Sequence, residues 1–145
     1  MSTPPHLFFN RAGEPIEHPE WIRLVNDEEY RLVGCDTVGR TEVRTVWTGA
    51  AMPDPAGGPD TIFETIVHGD FGAFKLRYAS EAAAVAGHAA TLRGEQKRAK
   101  ARSQLADLRG WLDGLEAKME AGTITPAEFH VELDRVVGSR GRLTH

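Results

Sequence analysis

One stretch of this chain leaves little choice of local structure. Leu105, Leu108, Leu112, Leu115 and Met119 follow one another at alternating steps of three and four residues, which sets them along one stripe of an α-helix. Gly122 ends the run at a position where a left-handed cap favours glycine. Thr125 then stands as an N-cap, with Pro126 in the first helical position and Glu128 placed to complete a capping box. Phe129, Leu133 and Val136 or Val137 form a return stripe, and Gly138 stops it. The connection is short, so the pattern predicts two antiparallel helices over residues 105–138. A two-helix unit of this size buries too little surface to be stable alone. It must dock on the rest of the chain or on another copy, and the sequence leaves both open.

Leu112, Leu115, Gly122, Ile124, Thr125, Glu128, Phe129 and Leu133 carry a resemblance. Leucines, a Gly-x-Ile-Thr turn, x-x-Glu-Phe and a closing leucine resemble the short C-terminal module called SHOCT, over about a quarter of the chain. Modules of that type accompany many unrelated domains and are thought to mediate oligomerisation or partner contact. The resemblance therefore implies assembly rather than chemistry, through Leu112, Leu115, Phe129 and Leu133, and the helical stripe adds Leu105, Leu108 and Met119 to the same surface.

At 145 residues the chain has room for one ordinary domain, or one small domain with an appendage. Its hydrophobic share of 41% and charged share of 26% are those of a globular protein. No window approaches a membrane span, and Met1-Ser-Thr-Pro-Pro5 has neither the basic region nor the apolar run of a signal peptide. The single cysteine, Cys35, rules out an internal disulfide framework and a thiolate metal cluster. These features fit a cytoplasmic protein. The net charge of -4 divides unevenly: residues 1–80 carry twelve acidic and seven basic side chains, residues 81–145 nine and ten. That balance argues against bulk electrostatic binding to nucleic acid.

The first residues, His6 to Ile16, read as a short strand, a turn at Asn10 to Gly13 and a brief return strand. Pro19 opens a helix with Trp21, Leu24 and Val25 as its core stripe, capped by Glu17 or His18. Tyr30 to Val38 is strand-like and Gly39-Arg40 a tight turn. Thr41 to Thr48 alternates, with Val43, Thr45 and Trp47 on one side. Gly49 to Pro59 reads as a loop, Thr61 to His68 as a strand, Gly69 to Gly72 as a turn and Ala73 to Tyr78 as the last strand. Four strands joined by short turns predict an antiparallel meander. Ser80 caps the next helix, which sets Val85, His88, Ala89 and Leu92 towards the sheet. From Arg93 to Arg102 that helix is polar all round, the pattern of a solvated spacer.

Phe8-Phe9-Asn10, Gly13, Pro15, Ile16 and Trp21 are followed by Thr45-Val46-Trp47-Thr48-Gly49 and Gly57-Gly58-Pro59. Ile62-Phe63-Glu64-Thr65-Ile66-Val67-His68, Arg77-Tyr78-Ala79-Ser80 and Ala86-Gly87-His88 complete the series. With these residues the chain from Leu7 to Leu92 resembles a family of small proteins encoded by phages and prophages of actinobacteria. The resemblance implies a genomic setting, in the cytoplasm of the host cell, and no particular activity. The family usually has Leu-Asp-His after the tryptophan strand, where Ala50-Ala51-Met52 stands here. Any role of that pair in relatives is lost in this chain.

No pair among His6, His18, His68, His88, His130 and His145 has metal-ligand spacing, so neither a metal nor a cofactor is expected. His88, with His68 and Glu64, has the residue types of an acid–base site, although a structural histidine is the commoner outcome. Cys35 lacks an activating neighbour in the sequence. The Gly57-Gly58-Pro59 loop lacks the Lys-Ser/Thr of a phosphate loop. It is long enough to close a pocket beside Trp47, Phe63, Tyr78 and His88, residues that are first of all core. Arg93, Lys97, Arg98, Lys100 and Arg102 make a basic helix that continues to Arg109, a candidate phosphate or nucleic-acid contact. No aromatics interleave it, and Glu95 dilutes it.

The sequence therefore predicts an α+β fold with four parts. Residues 1–92 form a body with an N-terminal hairpin and helix, a four-stranded antiparallel meander and a helix packed on it. Residues 93–104 form a basic helical linker, 105–138 a C-terminal helical hairpin and 139–145 a flexible tail. The function expected is that of a non-catalytic phage or prophage accessory protein that self-associates, or holds a protein partner, through the hairpin. The alternatives are a nucleic-acid-associated protein using residues 93–109 and a pocketed binder that sequesters a nucleotide signal. No membrane partner is expected.

Overall fold

The computed structural model describes residues 6–70 and 72–141, and the side chains among them up to residue 138. The elements are α1 (His18–Val25), α2 (Glu28–Arg31), β1 (Leu32–Val38), β2 (Thr41–Met52), β3 (Thr61–Gly69), β4 (Gly72–Tyr78), α3 (Glu81–Glu120) and α4 (Pro126–Gly141). The strands form one antiparallel sheet in the order β1-β2-β3-β4, so the α+β meander read from the sequence is present. The chain falls into two compact units, one ending at Ala99 and one beginning at Lys100. That boundary lies inside the stretch expected to be a linker, and α3 runs through it without a break.

Cross-strand pairing fixes which side chains share a face. Gly34 and Asp36 of β1 stand opposite Thr45 and Val43 of β2. Phe63, Thr65 and Val67 of β3 stand opposite Trp47, Thr45 and Val43, and opposite Tyr78, Leu76 and Phe74 of β4. These residues form the covered face, because partners in register point the same way. Trp47, Phe63, Leu24, Ile62 and Ala84 form the buried cluster, with Phe9, Ile16, Trp21, Val25, Tyr30, Val33 and Tyr78 packed around it. β4 is an edge strand, and its Phe74 and Leu76 stay 47% and 42% exposed.

Three boundaries differ from expectation, the first for a capping reason and the second for a tertiary one. The strand expected from Tyr30 starts only at Leu32, because Asp27 accepts a hydrogen bond from the Tyr30 backbone N–H and nucleates the one-turn helix α2. Residues 49–52, expected as loop, continue β2. Leu7 and Phe9 pair with them through Phe9 N–H to Gly49 C=O and Ala51 N–H to Leu7 C=O. Gly49 makes that turn of the strand possible: its φ is +69°, and a Cβ there would lie 2.2 Å from the Trp47 ring. In α4, Gly138 does not stop the helix, which runs to Gly141. The expected flexible tail is therefore helical through residue 141, and its last four residues lie outside the described ones.

α3 begins at Ser80, whose hydroxyl accepts from the Ala83 N–H at 3.2 Å. Its buried line is Ala84, His88 and Glu95, while Val85 is 53% exposed and Leu92 only half-buried. The stripe expected to contain Val85 is thus rotated. Gly87 sets the rotation: a Cβ there would meet the Tyr78 ring at 2.3 Å, so only glycine lets the helix come down on that tyrosine. Burial of Glu95 also corrects the reading of residues 93–102 as solvated on all sides.

Candidate functional site

Beyond Ala99 the local signals are realised closely. The end of α3 closes as a Schellman motif: Thr123 N–H donates to Lys118 C=O at 2.9 Å and Gly122 N–H to Met119 C=O at 3.1 Å, with Gly122 at φ +74°. Thr125 caps α4 by accepting from the Glu128 N–H at 3.2 Å. Its hydroxyl donates to the Glu128 carboxylate at 3.1 Å. Only the threonine half of the expected capping box is formed: the Glu128 carboxylate accepts from the Thr125 hydroxyl instead of from the Thr125 backbone N–H.

What this hairpin encloses is small. Leu115 is the sole buried apolar side chain of the unit among the described residues. Leu108, Leu112, Met119, Phe129, Leu133 and Val136 are half-buried, and Leu105 is 64% exposed. Along one side runs an open groove of about 550 Å³. Its apolar lining comes from Trp111, Leu115, Ile124, Ala127 and Val131, and Lys118, Glu128 and Glu132 complete it. Val131 and Val137 are 65% and 60% exposed. Trp111, Ile124 and Val131 were missed as site residues because they flank the leucine stripe. Trp111 lies one residue before Leu112, and only the placement of α4 shows that this flank lines a groove.

In the body, the structure assembles a polar chain that the sequence reading did not find. His88 Nε2 lies 2.7 Å from Asp36 Oδ2, and His88 Nδ1 lies 2.8 Å from Thr45 Oγ1. Thr45 Oγ1 lies 2.5 Å from Thr65 Oγ1. In the tautomer whose Nε2–H donates to the carboxylate, His88 Nδ1 accepts from the Thr45 hydroxyl and Thr45 can accept from Thr65. Gly34 leaves the ring its place, since a Cβ there would sit 3.1 Å from it. The connectivity is that of an Asp–His–hydroxyl relay. Thr45 and Thr65 are fully buried, however, so the hydroxyl end is sealed against a substrate. The chain satisfies buried polar groups and pins α3 to β1 and β2. The available signal was a threonine at the inward position of each central strand.

The other site residues expected from the sequence separate. Glu64 and His68 lie on the opposite sheet face from His88, because they alternate with the inward Thr65 and Val67. Glu64 faces Arg77 at 3.8 Å instead. The grouping of His88 with His68 and Glu64 is therefore corrected. Trp47 and Phe63 are core, at 0% and 1% exposure. The Trp47 indole N–H donates to Phe9 C=O at 3.0 Å. Two cavities of about 220 and 240 Å³ border the N-terminal turn and the end of the glycine-rich loop, lined by residues that include Gly13, Ile62, Ala79 and Pro59. Neither is lined by Trp47, Phe63, Tyr78 or His88, and both are below the size usual for a nucleotide-like ligand. Arg93, Lys97, Lys100 and Arg102 are exposed on α3, whereas Arg98 donates to Glu95 Oε1. Exposed Cys35 pairs across the strands with Arg44. Among the described residues no group of acidic, histidine and cysteine side chains is placed to hold a metal ion. No helix among them is long and apolar enough to cross a membrane.

Compared with protein-family models, with curated proteins and with solved structures, the chain matches none.

Proposed function

We propose that this is a non-catalytic phage or prophage accessory protein that works by protein interaction, with its C-terminal hairpin as the self-association module. The observation that carries the reading is the imbalance in the hairpin. Both ends of its turn carry a cap, yet among the described residues it buries one apolar side chain and leaves an apolar groove open. A helical pair in that condition is completed by another helical surface. The phage setting rests on the residue pattern over 7–92 and the interaction role on the pattern over 112–133.

Light scattering coupled to size exclusion on the full chain tests the association. The expected result is a dimer or larger species that Leu112→Asp or Phe129→Asp converts to monomer, while the near-ultraviolet circular dichroism of buried Trp47 is kept. A wild-type chain that stays monomeric at high micromolar concentration overturns the reading.

A further inference from the structure

We propose that the groove on the hairpin is filled by the same groove of a second copy, giving a four-helix bundle in which α3 of each chain packs on α4 of the other. The inference rests on the self-association reading and specifies its surface and partner.

The charges lining the groove supply the argument. Lys118 lines it from α3, and Glu128 and Glu132 line it from α4. Lys118 has no carboxylate within ion-pair distance among the described residues, although both glutamates share its groove. Glu132 reaches only along its own helix, to Arg135 at 2.5 Å, and that pair is exposed on both sides. A two-fold axis parallel to the helices lays the α3 wall of one copy on the α4 wall of the other, with both turns at the same end. Each Lys118 then faces the glutamates of the opposite chain, and this happens twice, as an isologous contact requires. The alternative two-fold, which lays α3 on α3, opposes Lys118 to no carboxylate wall.

The apolar part agrees with the charges. Trp111, Leu115 and Val131 become the inner layer of the bundle, with Trp111 the large aromatic anchor. A foreign helix would also bury these residues, but only a second copy is bound to bring the matching charges at the matching spacing. Leu105, which does not line the groove, stays outside this contact.

Charge reversal in the full chain tests the arrangement. Lys118→Glu alone and Glu132→Lys alone each turn the two contacts between positions 118 and 132 repulsive. Each variant is expected to dimerise about 30-fold more weakly than the wild type at low salt. Mixing the two variants one to one makes both of those contacts attractive again, and a heterodimer clearly tighter than either variant's homodimer is expected, short of the wild type because Glu128 is unchanged. Circular dichroism of each variant confirms that the hairpin is still helical. A mixture that dimerises no better than the separate variants overturns the arrangement, as do single variants that dimerise like the wild type. In both cases a dimeric wild type leaves self-association standing, whereas a monomeric wild type removes both.

Discussion

The body and the hairpin solve the same problem in opposite ways. In the body, a sheet face, two short helices and the first half of α3 enclose Trp47, Phe63, Val43, Thr45 and Thr65 almost completely. Buried Thr45, Thr65 and His88 are linked to one another in a chain that ends at Asp36, while the Tyr78 hydroxyl beside the same core stays unpartnered among the described residues. In the hairpin the backbone is equally well finished, by the Schellman turn and the Thr125 cap, but its side chains enclose almost nothing. Local signals complete a helix end within a few residues. A core requires a second layer, and a two-helix unit has none of its own. The body is stabilised by what it encloses, whereas the hairpin leaves an apolar groove open, the surface proposed above to meet a second copy.

The comparison breaks most visibly at Trp47. Trp47→Ala is expected to cost about 3–5 kcal/mol, the usual range for a fully buried aromatic. Chemical denaturation followed by circular dichroism measures it, and the loss should lie in the body's transition. Leu115→Ala removes an equally central residue of the hairpin. Its main effect should appear in the dissociation constant of the oligomer, with the body's transition unchanged. A loss shared equally between the two transitions would remove the distinction drawn here.

His88→Leu sharpens the account of the body. It leaves the Thr45 hydroxyl without its acceptor and Asp36 without its donor, at an expected cost of about 1–3 kcal/mol. Amide hydrogen exchange in β1 and β2 locates that loss. Thr125→Ala removes the hairpin's cap and should cost about 1 kcal/mol, read as faster exchange in the first turn of α4 with the body unaffected. Tyr78→Phe acts the other way. The Tyr78 hydroxyl is buried without a hydrogen-bond partner, so its removal should leave stability unchanged or raise it by up to about 1 kcal/mol in denaturation. Leu105→Ala should be the smallest change, within about 0.5 kcal/mol, because that side chain is 64% exposed.

Legibility in the sequence followed the range of the interaction. The meander, the Gly122 and Thr125 caps and the Ser80 helix start each depend on neighbours within a few residues, and all are readable from turn chemistry and period. The boundaries of β1 and β2 moved at an overlooked cap and at contacts over longer separations. Gly49 to Met52 became strand because Leu7 and Phe9 reach them. The burial of α3 rotated onto Ala84 and His88 because Gly87 admits Tyr78. α2 formed because the Asp27 side chain caps it.

By itself the sequence determined the four-strand meander, the helix starts at Ser80 and Thr125, the helix stop at Gly122 and the leucine stripe of the hairpin, since each is a matter of periodicity and backbone conformation. Tertiary structure alone decided that His88 joins Asp36, Thr45 and Thr65 rather than Glu64 and His68. It also decided that Trp111 and Val131 line a groove instead of lying idle beside the stripe. Pattern gives the period of an element, but which flank of it meets another element depends on the side chains brought against it from elsewhere in the chain.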